Sequence, residues 1–333
     1  MKREKYIDLV KGFSIWCIVL LHYVKNVFPN EFNVFVGSFM ITAFYVTSGW
    51  VAAMSQSSRH TTIKEFIKKR WKQLGMPYVW WTVIILVFDI ILLGFRYYDF
   101  RYIEIELYKA ITLRGIGTLW FLPALFGGEI IWYGLKKQNK IWLILIALVL
   151  TICYQYFYTQ FLGDRTELIY RIIDAPFRTI SNILGAWVGI AFGYISYVIL
   201  HRNVLKSSNI TMMTLGIILC VLAFISANYL PAILSPFWSL FAPLLGPLGL
   251  LLVAKSVQQI EGLNFYDYWG RNSLNLMVTH YSITLVLFSI VIEQEFGIPF
   301  DGWITLLCFG LSIPIQYLFV FVIGKYARVT LGK

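Results

Sequence analysis

Asp8, Lys11 and His22 fall inside or at the edge of the first long apolar stretch of the chain. Three helical turns take just under eleven residues, so Lys11 and His22 project from nearly one face of a helix, ~16 Å apart along its axis. Asp8 stands one turn before Lys11, within reach of its ammonium. Ionisable groups in a lipid-spanning segment are costly unless they line a protein or water cavity, and they mark a functional site. An imidazole, with an ordinary pKa near ~6.5, can take a proton from a hydroxyl as general base or attack as a nucleophile.

Four further stretches carry chemistry-bearing residues. Lys68-Lys69-Arg70-Trp71-Lys72-Gln73 precedes Pro77-Tyr78. Such a cluster either anchors a membrane span or cradles the phosphates of a cytoplasmic cosubstrate. Phe44 to Trp50 carries Thr47, Ser48 and Gly49, small residues that permit close helix packing. Leu119-Trp120-Phe121-Leu122-Pro123 opens a span at an interface, where tryptophan commonly anchors. Glu129, two to three turns deeper, and Asp89 in the preceding span are harder to explain as anchors. Last, Trp269 to His280 includes Arg271, Asn272, Ser273, Asn275 and a second intramembrane histidine. Asn272, Ser273 and His280 share a helical face.

The elements that position these groups are membrane helices. The 333 residues are 59% hydrophobic and 14% charged, with a mean hydropathy of +0.69, which predicts an all-α polytopic membrane protein. Ten apolar segments of spanning length are expected, at 8–27, 32–54, 76–95, 118–135, 141–160, 176–200, 210–229, 234–254, 273–292 and 303–324. Nineteen of the 28 Lys and Arg fall in the loops and tails on the N-terminal side, eight in the opposite loops, and Lys11 within the first span. That asymmetry predicts both termini in the cytoplasm. The net charge of +11 is then topogenic and does not point to nucleic acid.

Met1-Lys-Arg-Glu-Lys followed by an apolar run reads as an uncleaved signal-anchor. The loop segment Tyr102 to Ile111 has apolar residues at helical spacing and is expected to lie as an amphipathic helix on the outer surface. Cys17, Cys153, Cys220 and Cys308 are widely spaced within apolar runs, so neither a metal site nor a disulfide framework is expected. No soluble domain, repeat or linker is visible; residues 1–333 read as a single integral membrane domain, and nothing in them specifies an oligomeric state.

Taken in order, Tyr6-Ile-Asp8-Leu-Val-Lys11-Gly12 with His22, Phe44 to Trp50, Leu119 to Leu122, and Gly270-Arg271-Asn272-Ser273-Leu274 ending at His280 resemble the acyltransferase-3 family. The resemblance spans almost the whole chain and implies a ten-helix membrane domain. Such a domain moves an acyl group, usually acetyl, from cytoplasmic acetyl-CoA to a glycan hydroxyl outside or at a bacterial plasma membrane. Acetyl-CoA is then a cosubstrate, with no permanently bound cofactor. Lys11 and His22 match the family's first-span signature, with Lys where Arg is common. Of the family's two arginines before the third span, Arg70 matches and Gln73 stands in the second place. Many relatives carry an extracytoplasmic hydrolase-like domain after the last span. Here residue 333 ends the sequence, so transfer is expected on the membrane domain or a separate partner.

On this reading Lys69, Arg70 and Lys72 would hold the phosphates, and the pantetheine arm would run beside Lys11, oriented by Asp8, toward His22. Trp120 and Glu129 would frame the sugar acceptor, and Asn275 and His280 would orient the acyl group or stabilise the oxyanion. A competing class is a transporter of a small solute such as serine, or a glycan export component. Against it, there is no internal repeat of interrupted helices.

Overall fold

Uncharged runs of Leu, Ile, Val and aromatic residues can satisfy their peptide groups in lipid only within their own segment, so they fold as helices. The computed structural model describes residues 3–24, 27–55, 62–135, 168–229 and 241–333, with isolated residues between 142 and 156; it is helical, with no strand among the described residues. Seven helices there are long and apolar enough to cross a membrane, and two shorter apolar helices, Phe121–Leu135 and Phe241–Val257, fall at the expected fourth and eighth segments. The expected fifth segment, 141–160, lies largely outside the described residues. So do loop residues 136–140 and 161–167, with Asp164 and Glu167.

In chain order the helices are α1 (Lys5–Val24), α2 (Asn30–Met54), α3 (Ile63–Arg70), α4 (Met76–Gly94), α5 (Phe100–Ile111), α6 (Phe121–Leu135), α7 (Leu168–Leu200), α8 (Asn209–Asn228), α9 (Phe241–Val257), α10 (Asn264–Arg271), α11 (Ser273–Thr279), α12 (Val286–Ser289) and α13 (Gly302–Tyr326). A widened π turn, Trp71–Gly75, joins α3 to α4 without a break. A second, His280–Leu285, joins α11 to α12.

Helix α1 is central and touches α2, α9, α10, α11 and α13. It crosses α10 where a Cβ on Gly12 would stand 1.8 Å from the Tyr266 carbonyl oxygen and one on Gly270 would stand 1.9 Å from that of Asp8. Only glycine on both helices permits that approach. Above the crossing, Trp16 packs edge-on against Trp269 and Phe309 with ring centroids 5.2 and 5.7 Å away. The outward faces of α4 and α13, such as Val83, Val87, Ile90, Leu307, Leu318 and Phe321, are exposed; they form the lipid-facing belt that a membrane bundle needs.

Helix α5 departs from expectation. Asp99 caps it by accepting from the Tyr102 amide at 2.7 Å. Its other end folds back along α4, where the Tyr78 hydroxyl donates to the Ala110 carbonyl at 2.7 Å. Phe100, Leu107 and Ile111 are exposed while Glu106 is buried. The helix turns Glu106 and Ala110 inward, while Arg101 and Glu104 stay exposed beside the apolar residues.

Candidate active site

A cavity of about 670 Å³ opens along α1, and its walls include Lys11, His22, Trp120 and His280. Four sequence-predicted residues, two from α1, one from the turn before α6 and one from the second π turn, are therefore brought to one space. Asp8, Lys69, Arg70, Lys72, Glu129 and Asn275 do not line it. Leu74, on the first π turn, lines the cavity and links that turn to the basic cluster.

The two histidines form a pair. His22 Nδ1 lies 3.0 Å from His280 Nε2, with the rings stacked at 5.2 Å and 26°. His280 Nδ1 lies 2.7 Å from the Leu276 carbonyl oxygen, which can only accept. With both imidazoles neutral, that contact puts the His280 proton on Nδ1 and leaves its Nε2 to accept. His22 must then donate from Nδ1, so its own Nε2 carries the free lone pair. His280 is fully buried, whereas His22 is exposed to the cavity it lines.

The π turn that starts at His280 explains how the pair is held. Gln316 of α13, fully buried, receives the Thr279 hydroxyl at 2.6 Å and donates to the Thr284 hydroxyl at 2.9 Å, bracketing the widened turn. The Thr284 hydroxyl in turn caps the Thr279 carbonyl at 3.1 Å. Such turns recur where a helix must present a side chain outside the regular register.

The expected Asp8–Lys11 ion pair is replaced by another. Asp8 gives both oxygens to Arg3, one of them to its Nη2 at 2.9 Å, because Arg3 lies just before α1 and can reach back with two donors. Lys11 has no ion pair within contact distance among the described residues, and Asp8 and Glu129 are the carboxylates whose field reaches it. Glu129, expected beside the acceptor, instead faces the basic cluster. Its Oε2 lies 2.8 Å from Arg70 Nε, and its Oε1 accepts from the Ser48 hydroxyl. Gln73 holds the same guanidinium from the other side at 2.8 Å, and Arg70 also sits over the Phe66 ring, 5.5 Å from its centroid. Lys69 and Lys72 are exposed.

Asn275 is buried just before the π turn, away from the cavity wall. Helix α10 ends at Asn272, whose side chain turns back to the Tyr268 carbonyl at 3.0 Å. The shared face expected for Asn272, Ser273 and His280 is thus reduced to the last two. Sequence reasoning missed Tyr102, Glu106, Lys109, Arg114, Thr118 and Tyr281, all of which line the cavity. The signal available was Gly115 and Gly117, which adopt φ values of 75° and 51° and let the 112–120 turn fold against Tyr281 and Ser282.

The arrangement offers a base with a defined lone pair, a lysine at the other end of the same cavity, and a cationic cluster beyond it. No curated protein and no solved structure matches the chain. The acyltransferase-domain profile of the acyltransferase-3 family matches residues 4–323 of the 333. The chain belongs to that family and is a membrane acyltransferase.

Proposed function

We propose that the protein moves an acetyl group from cytoplasmic acetyl-CoA to a hydroxyl of a cell-surface glycan or its lipid-linked precursor, in a bacterial plasma membrane. The observation that carries this reading is the His22–His280 contact of 3.0 Å at the wall of a cavity that Lys11 also lines. The charge distribution along the chain puts the Lys69–Lys72 cluster at the cytoplasmic face. There the exposed Lys69 and Lys72 meet the phosphates of CoA, and Arg70, held by Glu129 and Gln73, fixes the helix that presents them. The slender arm of the cosubstrate runs past Leu74 and Lys11 and brings its thioester to His22.

At His22 the acceptor hydroxyl gives its proton to Nε2 while its oxygen attacks the thioester carbonyl carbon. The carbon–sulfur bond breaks, and the departing thiolate takes the proton back from Nε2. An ester and free CoA result. During the step His22 is an imidazolium, and its Nδ1–H bond to His280 becomes charge-assisted and stronger. His280 is therefore a positioning residue that fixes the tautomer and supports the transient charge. Tyr281, whose ring lies 4.8 Å from that of His22, and Trp120 offer flat faces to a sugar ring.

General-base catalysis contributes roughly 10²–10⁴-fold. His22→Ala is expected to lower glycan acetylation by at least that factor with membrane abundance unchanged. The readout is base-labile O-acetyl resonances in the NMR spectrum of the surface glycan. Acetylation retained at the wild-type level would end the assignment.

A further inference from the structure

Two carboxylates face the cavity with no role in the step described above. Asp89 of α4 is 2% exposed and Glu106 of α5 is 4% exposed, yet both line the cavity. Among the described residues, Asp89 Oδ2 and Glu106 Oε2 have no hydrogen-bond partner. Glu106 Oε1 is taken by Lys109 at 2.6 Å. A buried acceptor without a donor forfeits its hydration, and two side by side, on helices that run back along each other, make an expensive arrangement to retain. A ligand carrying hydroxyl donors removes that penalty.

We infer that Asp89 and Glu106 form a hydroxyl-reading subsite that takes a neutral sugar by a pair of adjacent hydroxyls. This rests on the proposed glycan acyltransfer and names the class of acceptor. The charge count favours a neutral ligand. Lys109 and Arg114 line the same cavity and offset the two carboxylates, so neither an anionic nor a cationic sugar gains net attraction. An additional carboxylate, as in a uronate, would face two like charges. An ammonium would face Lys109. A hydroxyl can donate to the free carboxylate oxygens and accept from the cations, with no net charge to oppose. Tyr102 stacks on Tyr98 with centroids 4.0 Å apart and lines the cavity near both carboxylates, supplying an apolar floor for the C–H face of the ring.

Saturation-transfer NMR on the purified full chain in detergent, with no acyl donor present, tests this with three simple probes: methyl β-glucoside, methyl β-glucuronoside and methyl β-glucosaminide. The wild type is expected to bind the neutral glycoside at least 10-fold more tightly than either charged one. Glu106→Gln and Asp89→Asn should each weaken the neutral glycoside about 10-fold. Each should also narrow the glucoside-to-glucuronoside ratio about 10-fold, a relative gain for the anion that a misfolded variant would not show. The subsite is overturned by equal or tighter binding of a charged probe, by carboxamide variants that bind as the wild type does, or by absence of binding to all three. With no donor in the tube, the result is independent of transfer: glycoside binding with no acyl transfer would sink the proposed reaction and spare the subsite, and the reverse would sink the subsite alone.

Discussion

At the Lys11 end of the bundle the acidic groups are answered by cations: Asp8 by Arg3 and Glu129 by Arg70. At the other end Asp89 has no ion pair within contact distance among the described residues, and Glu106 is only half answered by Lys109. The difference is one of surplus. The first end leaves cations over, Lys11 half-buried and Lys69 and Lys72 in the open, and so suits an anion. The second leaves acceptors over and suits hydroxyls. Opposite surpluses at the two ends are what the proposed reaction requires of a donor bearing phosphates and an acceptor bearing hydroxyls.

The contrast can be broken or sharpened by substitution. The largest effect is expected from Gly270→Ala, because the added Cβ would stand 1.9 Å from the Asp8 carbonyl oxygen. Backbone cannot give way as a side-chain tip can, so α1 and α10 must separate, and loss of a monodisperse peak in size-exclusion chromatography is the expected outcome. A normal peak would show that the crossing tolerates a methyl group.

Next comes the same carboxylate-to-amide change at each end. Glu129→Gln removes the charge facing the partly buried Arg70 and is expected to cost on the order of 1–3 kcal/mol, seen as a lowered unfolding temperature. Asp89→Asn removes no ion pair and should shift that temperature little or not at all. Equal losses would erase the distinction between the two ends. The smallest effect belongs to Lys69→Gln and Lys72→Gln. The expected outcome is a several-fold rise in KM for acetyl-CoA at low salt that shrinks as salt screens the exposed charges, with kcat and acceptor KM preserved. A change in kcat instead would place these lysines elsewhere in the reaction.

Hydropathy alone located the long apolar helices among the described residues, since lipid dictates length and composition for each span. The face shared by Lys11 and His22 was equally legible, because eleven residues is a fixed rotation on any α-helix. What could not be read were the pairings between elements distant in sequence. Arg70 with Glu129 and His22 with His280 depend on how helices pack, which periodicity does not encode. Helix α5 shows the sharpest limit. Its apolar spacing was evident, but that spacing does not say that Glu106 turns into a cavity while Arg101 and Glu104 stay exposed. The break at Asn272 was hidden for a related reason: α10 and α11 both have helical composition, and only the turn of the Asn272 side chain onto Tyr268 separates them.

The π turn at His280 has a consequence for any attempt to reshape this molecule. It holds one residue more than a regular turn needs, so Val286–Ser289 is rotated by about 100° from where an unbroken α-helix would put it, before a further π turn at Ile290–Glu295. Deleting a single residue between His280 and Leu285 would swing Val286, which lines the cavity, off its wall and strand Gln316 without its second threonine. The extra residue is thus a phase-setter: it lets one rod turn His280 inward at the turn and still close the chamber beyond it with Val286.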